Sequence, residues 1–407
     1  MAIRSPAADH GPIGLHTNRS AGLYGTKPSI GLPGRPTTEF GQLKKSSSPL
    51  NKHQSNVAPS ASNKWSVQQL EPLPAGFPLE RTSRRINAVG SIVAERITAC
   101  LFERSIEAKY NDVEGKAKCR TSDYVSFRIR LFAAGEEDAS ASSAATIVEV
   151  QRRKGSAFNF MKDCRAILDA AEGLASGSLT TAKMPTLKPV SAMSCLQGVE
   201  IDNDDDNDAG DVKTTEELLS MDQSDSNLLA MENLEELTSR KSTSQSTVRL
   251  ATKSIVSGEN DSTGIRDAIT SLLQHSSLQG DQTNLRTTKD EMEIDYDERM
   301  HNLSLSVVHN ALTFLADEGS LTELVRMHTG WFHDTLIPVL IRDVDGARDR
   351  PHDACLAAKC LHCLAPYSRQ SIADAGGVEA LVEAQAFASD NHASLANMAD
   401  RAIDALR

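Results

Sequence analysis

The stretch "VVHNALTFLA" (307–316) decides the fold, because its pattern returns twice further along the chain. "LAAKCLHCLA" (356–365) and "MADRAIDAL" (398–406) place a small or β-branched residue, a small-plus-Leu/Ile pair and a Leu at matching offsets. The matched positions are Val308, Ala311-Leu312 and Leu315, then Ala357, Cys360-Leu361 and Leu364, then Ala399, Ala402-Ile403 and Leu406. The pairs step by 49 and then 42 residues. "AMENLEEL" (230–237) is a partial copy, with Ala230, Leu234 and Leu237 close to two periods upstream. Small side chains let helices cross closely, and Leu at i+4 and i+7 fills the core they share. A period near that step with this layout predicts stacked helical repeats, an all-α solenoid over residues 218–407.

Within it, "SIADAGGVEALVEA" (371–384) raises a choice between a cofactor loop and a packing device. A phosphate-binding loop needs a preceding strand and several spaced glycines, and this stretch has neither. Gly376-Gly377 is expected to turn the chain after Ala375, so that Val378, Leu381 and Val382 face the core. Together "RQSIADAGGVEALVEAQAFAS" (369–389) and "NHASLANMADRAIDAL" (391–406) resemble the armadillo repeat family, in which a Gly-Gly pair opens the third helix. The resemblance implies an armadillo- or HEAT-like solenoid whose concave surface holds a protein partner.

A different period governs residues 86–173. Ile86, Val89, Val93, Ile97, Cys100 and Leu101 share one helical face, and Phe160, Met161, Cys164, Ile167, Leu168 and Ala171 share another. Between them lie four strand-like runs, "SIEAKY" (105–110), "KAKCRT" (116–121), "YVSFRIRLFA" (124–133) and "TIVEVQRR" (146–153). In the third, Val125, Phe127, Ile129 and Leu131 alternate with Ser126, Arg128 and Arg130, which gives one face to a core and a basic face to something else. The order helix, four antiparallel strands, helix predicts an α+β domain. This order and "VQRRKGSAFNFMKDCRAIL" (150–168) resemble the kinase-associated C-terminal domain. That likeness implies binding of anionic phospholipid by the basic surface. The autoinhibitory role of the family has no target in this sequence, which carries no Gly-rich loop, "HRD" or "DFG".

Composition organises the rest. Apolar residues make up 39% and aromatics 4%, too few for a fully globular chain of this length, so part of it is expected to be unfolded. That part is residues 1–85, a basic tail rich in Pro, Gly and Ser that includes a PxxP spacing at Pro33 and Pro36. Residues 174–217 read as an acidic linker. Its end almost fits a calcium loop beginning at Asp205, but Ala209 falls where an oxygen ligand is required. The seven cysteines are odd in number and no secretory apolar stretch follows Met1, so the expected location is intracellular, cytoplasmic or nuclear.

For chemistry, the sequence offers surfaces more than sites. Lys116, Lys118 and Arg120 alternate on one strand, Arg128 and Arg130 on the next, and Arg152, Arg153 and Lys154 close the last. Adjacent strands would gather them into a patch for lipid headgroups or an acidic segment, unless Glu107 and Glu149 simply balance them. Nucleic acid is not expected, because exposed aromatics do not interleave with the charges and the net charge is −12. Trp331 and Phe332 are the candidates for an exposed anchor on the solenoid, with core packing as the competing role. His352, Cys355, Cys360, His362 and Cys363 crowd together along one helix, whereas structural zinc sites place their paired ligands on turns flanking the metal, so no metal is assigned. No catalytic residue and no cofactor are assigned either. The sequence therefore predicts a non-enzymatic scaffold of open oligomeric state, or else a regulatory subunit acting in trans on a kinase or another enzyme.

Overall fold

The period-two alternation around Phe127 does build a sheet, and it has five strands where four were expected. The computed structural model describes residues 64–74, 76–134, 145–174, 205–221, 223–256, 263–278 and 291–407. In chain order the sheet part consists of β1 (Ser83–Ile86), α1 (Gly90–Glu103), β2 (Glu107–Asn111), β3 (Lys116–Arg120), β4 (Ser126–Ala133), β5 (Thr146–Lys154) and α2 (Ala157–Glu172). All pairings are antiparallel, in the order β1-β5-β4-β3-β2. The added edge strand takes Ile86, whose apolar side chain suits either period, away from the helix. Strand β1 is too short for alternation to announce it.

Both helices lie on one face. Val93, Ala94, Ile97 and Leu101 of α1 and Phe160, Cys164, Ile167 and Ala171 of α2 are buried against Ala117, Phe127, Ile129, Val148 and Val150. The Ser156 hydroxyl caps α2 by accepting from the Asn159 N–H, and Gly173 ends it at φ +83°. Met161, expected on the core face, is 45% exposed instead, since it lies about 100° round the helix from Phe160, at the edge of the buried face. The domain also begins earlier than expected. Trp65 and Val67 are buried in this core, and the Trp65 ring stacks on Tyr110 with centroids 5.5 Å apart. The tail reading thus loses residues 64–85. The remainder of the tail, its PxxP spacing and the linker up to residue 204 lie outside the described residues.

The helical part runs α3 (Asp205–Leu219), α4 (Ser224–Thr238), α5 (Gln245–Val256), α6 (Thr263–Leu278), α7 (Glu291–Asp317), α8 (Leu321–Met327), a π-helical turn (Trp331–Leu336), α9 (Ile337–Asp345), α10 (Pro351–Asp374), α11 (Gly377–Asn391) and α12 (Ala393–Leu406). Helix α3 takes up the end of the acidic linker and the whole of the rejected calcium loop, because Val212 and Thr215 are buried against its neighbours. Helix α4 packs on α7, α7 on α10 and α10 on α12. The matched sequence positions sit at these crossings. Ala311-Leu312 and Cys360-Leu361 are fully buried, and Ala402-Ile403 nearly so. One continuous core joins α4 to α12.

The Gly-Gly pair is a packing device with a separate task for each residue. Gly376 holds φ +82°, a conformation that side chains disfavour. At Gly377 a Cβ would come within 2.5 Å of Ile372 Cγ2 and 2.8 Å of the Ile372 carbonyl oxygen. The backbone oxygen cannot step aside, so Gly377→Ala is expected to cost about 1–3 kcal/mol by overpacking. Denaturation followed by circular dichroism checks this, and an unchanged midpoint would refute it. After the turn, Leu381 faces the core with Ala380, Ala384 and Ala388, while Val382 is 47% exposed, contrary to expectation.

Candidate basic surface

Ala117 and Cys119 of β3, like Phe127 and Ile129 of β4, turn inward, which forces the intervening basic residues onto the face away from the helices. Register then decides their neighbours. Lys109 of β2 stands opposite Lys118 of β3, and Lys118 opposite Arg128 of β4. Three cations thus lie side by side on adjacent strands about 4.8 Å apart. Like charges directly opposite one another destabilise a sheet, so this row is held at a cost. Lys109 was not among the expected residues; its run, "SIEAKY", shows only one cation.

The other expected residues meet different fates. In the next row Lys116 bonds Glu114 at 2.8 Å, and Arg130 lies 3.7 Å from Glu149 and over the Phe77 ring. Arg120 is drawn off the face to the helical part, pairing with Glu298 of α7 and with Glu107 at 3.5 Å. Lys154 pairs with Asp295 of α7. Arg152 and Arg153 are exposed at the end of β5, where Arg152 donates to the Gly155 carbonyl. Lys118 and Arg128 have no ion-pair partner among the described residues, and Lys109 reaches only Glu107 at 3.5 Å. The exposed Glu114 has its pKa lowered by the hydrogen bond and charge of Lys116 and further by Arg128 and Arg130.

The proposed aromatic anchor fails at one of its two residues. Phe332 is fully buried, because the π-helical turn points it into the helical core. Trp331 is half-buried; its indole N–H donates to the Thr270 hydroxyl at 3.1 Å and ties the turn to α6. An exposed aromatic does occur at Phe158, 81% accessible in the first turn of α2 beside Met161. Its sequence neighbour Phe160 is buried, and only the phase of the helix distinguishes the two.

Elsewhere the polar groups are committed to packing. His333 meets the hydroxyls of Ser368 and Ser371 at 3.2 and 3.3 Å, where α10 kinks after Pro366 with Ser368 at φ −136°. Ser368 is 4% exposed, which closes it to a substrate. The crowded His and Cys residues have separate destinations: Cys360 is in the core, Cys363 beside Thr313, and His352 against β3. A cleft of about 720 Å³ at the ends of α4, α5 and α7 is lined by Arg240 and Arg249, paired with Asp317 at 2.7 Å and Glu318 at 2.5 Å. Among the described residues no helix is long and apolar enough to cross a membrane. No protein-family model matches this chain, and no curated protein sequence matches it.

Proposed function

We propose that this chain is a non-enzymatic adaptor, whose sheet part attaches to an anionic lipid surface while its helical part, an armadillo-like solenoid, holds a protein. The observation that carries the first half is the row of Lys109, Lys118 and Arg128, in which Lys118 and Arg128 have no ion-pair partner among the described residues. A like-charged row lowers the stability of the sheet, and a bound anionic surface would repay it. The second half rests on the succession α4, α7, α10, α12, in which Leu234 of α4 and the equivalent Ala/Cys-Leu/Ile pairs of α7, α10 and α12 are buried. The cleft between Arg240, Arg249, Asp317 and Glu318 replaces Phe332 as the surface where a polar partner segment would lie.

Co-sedimentation of the full chain with vesicles tests the lipid half. Each cation near an anionic bilayer contributes about 1 kcal/mol, so removing two from the row weakens binding by at least about thirtyfold. Lys118→Glu with Arg128→Glu should therefore abolish pelleting with vesicles containing phosphatidylserine. Raising salt from about 0.1 M to about 1 M shortens the screening length from ~10 Å to ~3 Å and should release the wild type. A wild-type chain that ignores anionic vesicles at low salt would leave the face as a protein site, as a regulatory subunit requires.

A further inference from the structure

Two residues other than glycine hold φ in the left-handed region, among those described: Ser105 at +55° and Tyr124 at +56°. Both sit where the sheet part meets the helices. The Ser105 hydroxyl bonds the Ser394 hydroxyl and accepts the Ser394 N–H, each at 2.8 Å, at the start of α12. The Tyr124 hydroxyl donates to the Glu298 carbonyl at 2.7 Å. Such strain persists only where surrounding contacts over-determine it.

Between these two points runs a chain of three hydrogen bonds. His392 caps α12, its Nδ1 accepting the Leu395 N–H at 3.1 Å. Its Nε2 lies 3.2 Å from Nδ1 of His352, and His352 Nε2 lies 3.1 Å from the Arg120 carbonyl oxygen. The ends fix every proton. A backbone N–H can only donate, so His392 Nδ1 is bare and its proton is on Nε2. A carbonyl can only accept, so His352 carries its proton on Nε2 and leaves Nδ1 bare to accept from His392. Only two neutral rings, both protonated on Nε2, satisfy all three bonds. A second proton on His352 would set Nδ1–H against Nε2–H of His392. A second proton on His392 would set Nδ1–H against the Leu395 N–H.

We propose that the His392–His352–Arg120 chain is a proton-operated latch, which holds the sheet part on the helices near neutral pH and releases it on acidification. The groups facing His352 are Glu107 of β2, Arg120 of β3 and Asp353 of its own helix; Tyr124, Glu298 and Arg350 complete a cavity of about 20 Å³, room for one water. Burial outweighs the two acids and lowers the pKa of His352. Burial, His352 and Lys359 bring that of His392 down to about 3. Both folded values lie below the ordinary 6.5, so the closed state binds fewer protons than the open one in that window. The contribution of the rings to closure is full above the ordinary value and weakens as pH falls below it, by up to about tenfold per pH unit for His392. Asp353 acts in the opposite direction, because burial raises its pKa and the closed state takes up a proton there.

Imidazole ¹⁵N spectra and small-angle X-ray scattering of the full chain test the latch. At pH 7.5 both rings should be Nε2–H tautomers. Between pH 7.5 and about 5.5 the closed-to-open ratio should fall about tenfold through His392 and further through His352, and the radius of gyration should rise. The double variant His352→Gln, His392→Asn, in which asparagine retains the cap, should lose this response while keeping its circular dichroism spectrum. A covalent lock, Ser105→Cys with Ser394→Cys, should hold the wild-type rings closed at both pH values. The proposal is overturned by an Nδ1–H tautomer in either ring, by equal radii at the two pH values, or by the same acid response in the double variant.

Discussion

Leu361→Ala should destabilise the helical part by about 2–5 kcal/mol, the cost of emptying a buried leucine site whose walls relax only in part. Leu361 is fully buried on α10, the helix that packs on both α7 and α12, so the loss reaches two crossings at once. Lys359→Ala, two residues away and partly exposed, should change stability by no more than about 0.5 kcal/mol. Denaturant unfolding followed at 222 nm reads mainly these helices. Equal midpoints for wild type and Leu361→Ala would remove the basis for aligning it with Leu312 and Ile403.

That alignment was legible because it depends on a local rule repeated at intervals. A small residue beside a Leu, with another Leu one turn on, places the crossing point of a helix wherever it occurs. The rule marks the buried positions of α7, α10 and α12 from sequence alone. Val382 escaped it, because in α11 alanines 380, 384 and 388 make the contact and leave the bulkier neighbour outside. Strand β1 and Trp65 were illegible for another reason. Four residues cannot display a period, and a lone tryptophan in a polar, proline-containing stretch resembles the tail around it.

The basic face was legible in its alternation but not in its charge balance. Lys118 and Arg128 could be placed on one face from period two, while Lys109 joins them only through register. The acids that engage Arg120 and Lys154 are 178 and 141 residues distant, on a helix with no sequence mark of contact with the sheet. The histidine chain spans 40 residues between its two rings and 232 to Arg120. Such couplings are set by how two folded parts meet, which no local pattern encodes.

Asp343→Ala should cost more than most surface or loop changes in this chain, about 3–5 kcal/mol, because it strands the buried His301 imidazolium. The Asp343 carboxylate of α9 is 1% exposed, accepts from His301 Nε2 of α7 at 3.0 Å and lies 3.7 Å from Arg350, the residue before α10. The other ring nitrogen of His301 is buried with no partner among the described residues, so Asp343 alone orients the ring. Burial works against the charged imidazole, but the hydrogen bond and charge of Asp343 prevail and raise its pKa. A folded value above the unfolded one means that this stabilisation is full below the ordinary 6.5 and is lost as pH rises through the raised value. The gap between wild type and Asp343→Ala should accordingly be larger at about pH 6 than at about pH 9, the reverse of the response expected from His352 and His392. Asp343→Asn, which keeps an acceptor for His301 but not the charge, should fall between the two in unfolding titrations at both pH values. A loss below about 1 kcal/mol for Asp343→Ala, or one independent of pH, would mean that the pair is neutral and that α7, α9 and α10 are joined by apolar packing alone.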